Sequence, residues 1–421
     1  MSVVDRQNDG VATPLRITPT IFVALVFGLL LAVLAFSQAA ASTGLRFDTF
    51  RPLGGSFFSW RGAQRDLAID LFENRKKVDS ARLIRSGRVG LTYAPLSARS
   101  LWMVGKGYEA QQRPAAARRA MLRAQMITRR DAAVQLWLAE AAFRREDIAA
   151  GLAHYDLMMR SEPATTGEIL PRLAAIIVAP EGRRFLLPYA RASNPWFSPL
   201  LTTAANKLPK AEPVGRLLIE RRAKAPDIDG LEETYAGLMT KMVDEGAVDV
   251  ALRVYPLLPK AKKGVLDDIS GVVDGKVAEG YPPFIWSFAN DAYGATLVGT
   301  NANSSGMEFY GAPGTIGLAA SKLITPGSAT QLRWRVLDRS ANLQSRATWV
   351  TTCVAGKGKG TEQTSTNLFD RAVPLNKPMV MPLPANCTVV RVDMRVAGGI
   401  GTSPVSLIVD HLGLVKAASV N

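Results

Sequence analysis

Three hydrophobic patterns succeed one another along the chain, and each predicts a different kind of element. Residues 21–36, IFVALVFGLLLAVLAF, are apolar without a charge or a period. A bilayer core selects such a run, because about 20 residues rising about 1.5 Å each cross it. Ile17 and Ala39, Ala40 and Ala41 lengthen it toward that figure. Arg6 and Arg16 precede it, which favours a cytoplasmic N-terminus, although Asp5 and Asp9 weaken the bias. From 62 to 270 apolar residues recur at helical spacing, and Ala, Leu, Arg and Glu dominate. After Gly271 the composition turns to Gly, Thr, Ser and Val, and short alternating runs between turn signals predict strands.

The first run is read as an uncleaved single-pass anchor. A signal peptide cut near Ala39–Ala40–Ala41 is the rival. Either route carries the chain from about residue 45 onward through a bacterial inner membrane into the periplasm. The division expected is a tail and transmembrane anchor over 1–44, helices over 45–270, and a β-sandwich over 271–421. The fold class is therefore multidomain α and β, with one N-terminal transmembrane helix, an α-solenoid and an antiparallel sandwich.

Within the helical part, sizes repeat. Leu101, Val104, Gly105, Tyr108, Ala117, Met121 and Ala124 are followed, one period of about 34 residues on, by Leu138, Ala139, Ala142, Gly151, Tyr155 and Pro163. This pattern resembles the tetratricopeptide repeat over about 98–165. Arg129 stands where the first repeat would end in proline, and Ala142 where the second would carry tyrosine. Segments around 67–91 and 170–254, punctuated by Pro95, Pro180, Pro188, Pro195 and Pro213, read as further helix pairs. They are expected to complete the solenoid, since so few repeats cannot bury their own faces. The resemblance implies a concave groove in which Arg99, Trp102, Lys106, Phe143 and Arg144 would meet a peptide or a partner protein. The alternative is that Trp102 and Phe143 pack on neighbouring helices and the arginines stay in water.

In the last third, strands are predicted over 284–288, 307–310, 331–337, 347–354, 388–396 and 405–414, with loops over 301–305 and 356–360. Alternation puts Leu332, Trp334 and Val336 on one face and Arg333 and Arg335 on the other. Likewise Val390, Val392, Met394 and Val396 oppose Arg391, Asp393 and Arg395. This third resembles the galactose-binding-like jelly rolls of carbohydrate-binding modules over about 282–416. That resemblance rests on strand order, the Arg-Trp-Arg-Val strand, and a closing strand with an embedded aspartate, Asp410. It implies saccharide binding. Tyr293, in a predicted loop, is the aromatic candidate, while Trp334 and Trp349 are assigned to the core. Arg333, Arg335, Arg391 and Arg395 are candidates to hold the carboxylates of an acidic glycan by paired hydrogen bonds; a solvated sheet face is the plainer reading.

Charge sharpens the choice of partner. The 421 residues carry 51 Lys+Arg against 36 Asp+Glu, a net charge of +15. Little of the excess falls after Gly271, where 13 basic residues face 9 acidic ones. A basic surface suits a polyanion. In the periplasm that means acidic polysaccharide or anionic lipid, and nucleic acid is not an expected partner. Cys353 and Cys387 have no zinc or redox spacing and are placed to close one disulfide in an oxidising compartment.

Catalysis is not expected, nor a cofactor or a metal. The two histidines, His154 and His411, sit in no metal-ligand spacing, and no nucleophile elbow, P-loop or dinucleotide fingerprint occurs. The leading expectation is a non-catalytic, membrane-anchored periplasmic adaptor in envelope polysaccharide assembly or export, with an envelope protein on its helices and a saccharide or protein on its sandwich. Two alternatives stand beside it. One is a glycan-modifying enzyme with an acidic pair among Glu308, Asp338, Asp393 and Asp410. The other is a structural assembly factor of the envelope.

Overall fold

A computed structural model describes residues 19–46, 60–72, 79–273, 276–301 and 304–416. The chain divides into two compact units after Pro163.

The first unit holds α1 (Pro19–Arg46), α2 (Trp60–Phe72), α3 (Ser80–Tyr93), α4 (Ala98–Ala110), α5 (Pro114–Ile127), α6 (Ala132–Phe143) and α7 (Ile148–Ser161). The run expected to cross a bilayer is helical, and the large apolar side chains described over 22–33 are exposed. Among the described residues, however, no helix is long and apolar enough to cross a membrane.

Short polar side chains start most of the later helices. Asp79, Ser97, Asp131 and Asp147 accept hydrogen bonds from Ala81 N, Ser100 N, Val134 N and Ala150 N, satisfying donors that a helix leaves open. Pro114 opens α5, where its missing N–H costs nothing. The starts are periodic. α3, α5 and α7 begin at Ser80, Pro114 and Ile148, and α4 and α6 at Ala98 and Ala132, 34 residues apart each time. Small residues set the close approaches inside these hairpins. A Cβ on Gly105 would lie 2.7 Å from Met121, and one on Gly151 would lie 2.3 Å from the Phe143 ring. Trp102, Met103, Met121, Val134 and Leu138 fill the core between the pairs.

The second unit opens with α8 (Thr166–Ile177), α9 (Pro180–Leu186), α10 (Phe197–Lys207), α11 (Glu212–Glu220), α12 (Leu231–Asp244) and α13 (Val248–Val254). α8 starts 34 residues after α6, but α9 starts 32 after α7 and α10 starts 31 after α8, so the period loosens where the side-chain sizes stop repeating. The compact units divide after Pro163, so α8 to α13 share a unit with the strands. Aromatic contacts supply the reason. Tyr235 packs edge-on against Tyr281 at 5.8 Å, and Tyr255 against Phe284 at 5.0 Å, joining the last helices to the lead-in of the strands.

The strands are β1 (Val272–Val273), β2 (Lys276–Val277), β3 (Ser287–Phe288), β4 (Tyr293–Asn301), β5 (Ser304–Gly311), β6 (Ile316–Ile324), β7 (Gln331–Ser340), β8 (Arg346–Gly356), β9 (Glu362–Thr364), β10 (Pro378–Pro382), β11 (Cys387–Ala397) and β12 (Val405–Val415). β1 and β2 form a small ribbon. The others form two five-stranded antiparallel sheets, ordered β10-β7-β12-β5-β4 and β3-β6-β11-β8-β9. Their inner faces meet around Trp334, Trp349, Trp286 and Phe309, with Phe309 edge-on to Trp349 at 5.5 Å. Trp334 and Trp349 are thus core, as alternation predicts. Cys353 and Cys387 form a disulfide between β8 and β11.

Several strands differ from expectation. The strand predicted over 284–288 shrinks to two residues. Within the loop predicted over 301–305, β4 runs to Asn301 and β5 resumes at Ser304. β1, β2, β4, β6, β9 and β10 lie outside the predicted strands. Gly294 and Gly299 blur the alternation of β4, and Lys322 occupies an inward position of β6, facing Val392 across the ladder.

Candidate functional site

The five residues expected to line a helical groove do not line one together. Trp102 is buried, with the Arg99 guanidinium 5.5 Å from its ring centre and Arg99 in turn 3.7 Å from Asp131. Phe143 lies on Gly151 and meets the Tyr155 ring at 5.1 Å. Lys106 and Arg144 both reach Glu109, at 2.6 and 3.7 Å. Beside that cluster opens a cavity of about 450 Å³, walled by Glu109, Arg118, Ala141, Arg144 and Arg145 and backed by Trp137. Trp137 is 5% exposed, and its indole N–H has no hydrogen-bond partner among the described residues. The Arg144 guanidinium lies 6.0 Å from its ring centre. The cavity therefore sets three arginines and one carboxylate around a buried indole. Positions 137, 141, 144 and 145 share one face of α6 and its C-terminal turn, a spacing that the sequence displays.

The four sandwich arginines are not brought together either. Arg333 and Arg335 lie on the outer face of one sheet, Arg391 and Arg395 on the outer face of the other. Alternation separates inside from outside, but it does not say which sheet a strand joins. Arg335 is already engaged: its Nε and Nη2 donate to the two oxygens of Asp410 at 2.8 and 2.6 Å. His411 Nδ1 lies 3.0 Å from the same carboxylate, and the backbone there bulges, with His411 at φ 51°. Burial works against ionising Asp410, yet the hydrogen bonds and charges of Arg335 and His411 outweigh it and hold the carboxyl below its ordinary value. On the other sheet Asp393 is also buried, accepting from Ser321 Oγ at 2.6 Å with Arg391 Nε at 3.4 Å. There burial wins, and the pKa is raised.

Tyr293 is not in a loop. It begins β4, and its ring lies on Gly317, where a Cβ would come within 2.1 Å of it. One face of the ring is therefore covered. Of the candidate carboxylates, Asp393 sits on the opposite sheet from Glu308, Asp338 and Asp410, so it pairs with none of them. Glu308 and Asp338 flank Ile408 in one row, with backbones about 10 Å apart.

No protein-family model matches the chain, and no curated protein matches it. Its chemistry is therefore read from the geometry alone. Among the described residues no group of three or more His, Cys, Asp or Glu is arranged to hold a metal ion.

Two further places stand out in the second unit. At one end of the sandwich Lys322 is fully buried and donates to the Asp268 carbonyl. Burial pushes its ammonium down to about 8, opposed by the charge of Asp268. At the 356–360 end, a groove of about 880 Å³ runs beside the disulfide, bordered by Ser328, Gln331, Lys357, Asn386 and Thr388. The glycine- and lysine-rich segment there is a turn between β8 and β9, with Gly356 and Gly360 at φ 116° and 87°.

Proposed function

We propose that this chain is a non-catalytic adaptor of the bacterial envelope, anchored in the inner membrane by its N-terminal apolar run, with its body in the periplasm and a protein partner on its helices. Supporting the location are the uncharged run at 21–36 and a disulfide suited to an oxidising compartment. Supporting the helical role is the 34-residue spacing of helix starts, the period of tetratricopeptide arrays. The observation that carries the reading is the cavity backed by Trp137 and walled by Arg118, Arg144 and Arg145 with Glu109 among them. That chemistry suits an acidic peptide segment, with carboxylates for the guanidinium groups.

The order in which strands β5 to β12 alternate between the two sheets is that of a jelly roll, the architecture of many saccharide-binding modules. The groove beside the disulfide, with its amide and hydroxyl groups and Lys357, favours a second role in holding a glycan there. Fold likeness alone does not establish it.

Two experiments test the proposal. Alkaline phosphatase fused after residue 421 is expected to be active; an inert fusion, with a cytoplasmic reporter active at that position, refutes the location. A photo-crosslinking amino acid replacing Gln112 at the cavity rim is expected to give one discrete protein adduct in cells, lost in Arg118→Glu and Arg144→Glu. No adduct, or an adduct indifferent to both reversals, refutes the partner site.

A further inference from the structure

One end of the sandwich carries large aliphatic side chains that none of the described residues covers. Ile316, Leu343 and Ile400 are 78%, 71% and 64% exposed, and Leu318 is 44% exposed. They come from three separate segments that backbone hydrogen bonds hold together. Ile400 N donates to Leu343 O at 2.7 Å, Gly398 N to Thr315 O at 2.9 Å, and Gly314 N to Gly399 O at 2.8 Å. The two nearest cations follow from the ladder. Arg346 stands opposite Ala397, which stands opposite Ile316; Arg395 stands opposite Leu318. A shallow groove of about 460 Å³ runs between these arginines and the two β6 aliphatics.

The segments 312–318, 341–348 and 395–405 contain no Asp or Glu, and Arg346 and Arg395 are their only charges. The acids facing these arginines are Glu362, 4.0 Å from Arg395, and Asp393, buried two residues before Arg395 on the same strand face. The rest of these segments is mostly Gly, Ser, Thr, Ala and Asn. Protruding aliphatics on small-residue loops, beside cations and without acids, match the boundary between headgroups and acyl chains of an anionic bilayer, where the tips enter the apolar layer and the guanidinium groups stay at the phosphates. A saccharide would ask for a flat aromatic face, and a protein hot spot for Trp or Tyr; these segments hold neither.

We infer that this end of the sandwich is a membrane-docking tip that seats on an anionic lipid surface through Ile316, Leu343 and Ile400, with Arg346 and Arg395 contacting the headgroups. The inference does not depend on the N-terminal anchor, and its test reads the tip directly. Full-length protein carrying Leu343→Cys, Ile400→Cys or, as control, Val380→Cys on the opposite sheet is labelled with an environment-sensitive fluorophore. It is mixed with vesicles of phosphatidylcholine, alone or with about one third phosphatidylglycerol, containing acyl-chain spin-labelled lipid. Labels at 343 and 400 are expected to shift to the blue and be quenched in the anionic vesicles, while the label at 380 is not. Arg346→Glu and Arg395→Glu are each expected to raise the lipid concentration for half-maximal shift by roughly tenfold or more. Leu343 and Ile400 are independent positions, so one misfolded variant leaves the other to decide. The inference is overturned by unquenched labels at both, by equal quenching at 380, or by the same shift with a soluble acidic polysaccharide in place of lipid.

Discussion

Replacing Lys322 with methionine should remove a pH dependence that this one residue imposes on the second unit. Lys322 points into the sandwich from β6, is fully buried, and finds only the Asp268 carbonyl for its ammonium. Its pKa falls from 10.5 to about 8. Between those values the unfolded chain holds a proton that the folded chain has released, so stability rises as pH goes up through the window. Below pH 8 the folded state carries the full cost of the buried charge, about 3 kcal/mol for a shift of this size. Lys322→Met removes that cost along with a hydrogen bond to the backbone, which contributes about 1 kcal/mol. The variant is therefore expected to be about 2 kcal/mol more stable than the parent at pH 7, with the difference shrinking and reversing by pH 10.5. Urea unfolding of both proteins from pH 7 to 10.5, followed by tryptophan emission, measures it. Because every other titration is common to the pair, only the difference between the curves matters. A difference that stays constant with pH would refute the reasoning, since it would mean that the ammonium is as well solvated folded as unfolded.

Other consequences follow from single contacts. Arg183 is buried and donates to the carbonyls of Ile177 and Val178 at the end of α8 while pairing with Glu220 at 2.8 Å; Arg183→Met is expected to cost about 3–5 kcal/mol, read by thermal melting. Gly151→Ala drives a methyl into the Phe143 ring and should cost about 1–3 kcal/mol, with Phe143→Leu in the same chain restoring much of it. The double variant Cys353→Ala, Cys387→Ala opens a loop of 34 residues and should lose about 4 kcal/mol in denaturant unfolding. Burial raises the Tyr255 hydroxyl to about 12, so the unfolded chain ionises first and stability falls as pH climbs from 10 toward 12; Tyr255→Phe should flatten that loss in alkaline melts.

What could be read from the sequence was whatever depends on period. The 34-residue repeat of sizes at 98–165 anticipated hairpins whose starts keep that spacing from Ser80 to Thr166. Alternation placed Trp334 and Trp349 in the core without further help. What could not be read depends on pairing in space. Arg333 and Arg391 both alternate outward, but their strands belong to different sheets, so no glycan carboxylate spans them. Tyr293 looked like a loop residue because Gly294 follows it, yet that strand edge lays its ring on Gly317. β6 went unseen because a lysine occupies one of its inward positions, and the pattern gives no sign that the Asp268 carbonyl receives it.

Availability then decides which of the sandwich's cations can act. A surface ion pair contributes about 0–1 kcal/mol and yields readily to a ligand. Arg335 does not meet that description, because its partner Asp410 is buried, and withdrawing the guanidinium would strand that carboxylate at a cost of several kcal/mol. The same holds more weakly for Arg391 beside buried Asp393. Arg395 has Glu362 at 4.0 Å and buried Asp393 on its own strand face, and Arg333 and Arg346 have no ion-pair partner among the described residues. Among these arginines, an anionic partner is therefore met most freely by Arg333 on one sheet or by Arg346 and Arg395 on the other. Arg333 stands opposite exposed Val380, but Arg346 and Arg395 stand beside four exposed aliphatics, Ile316, Leu318, Leu343 and Ile400, which is why the charge on that end points to a lipid surface and not to a polar chain.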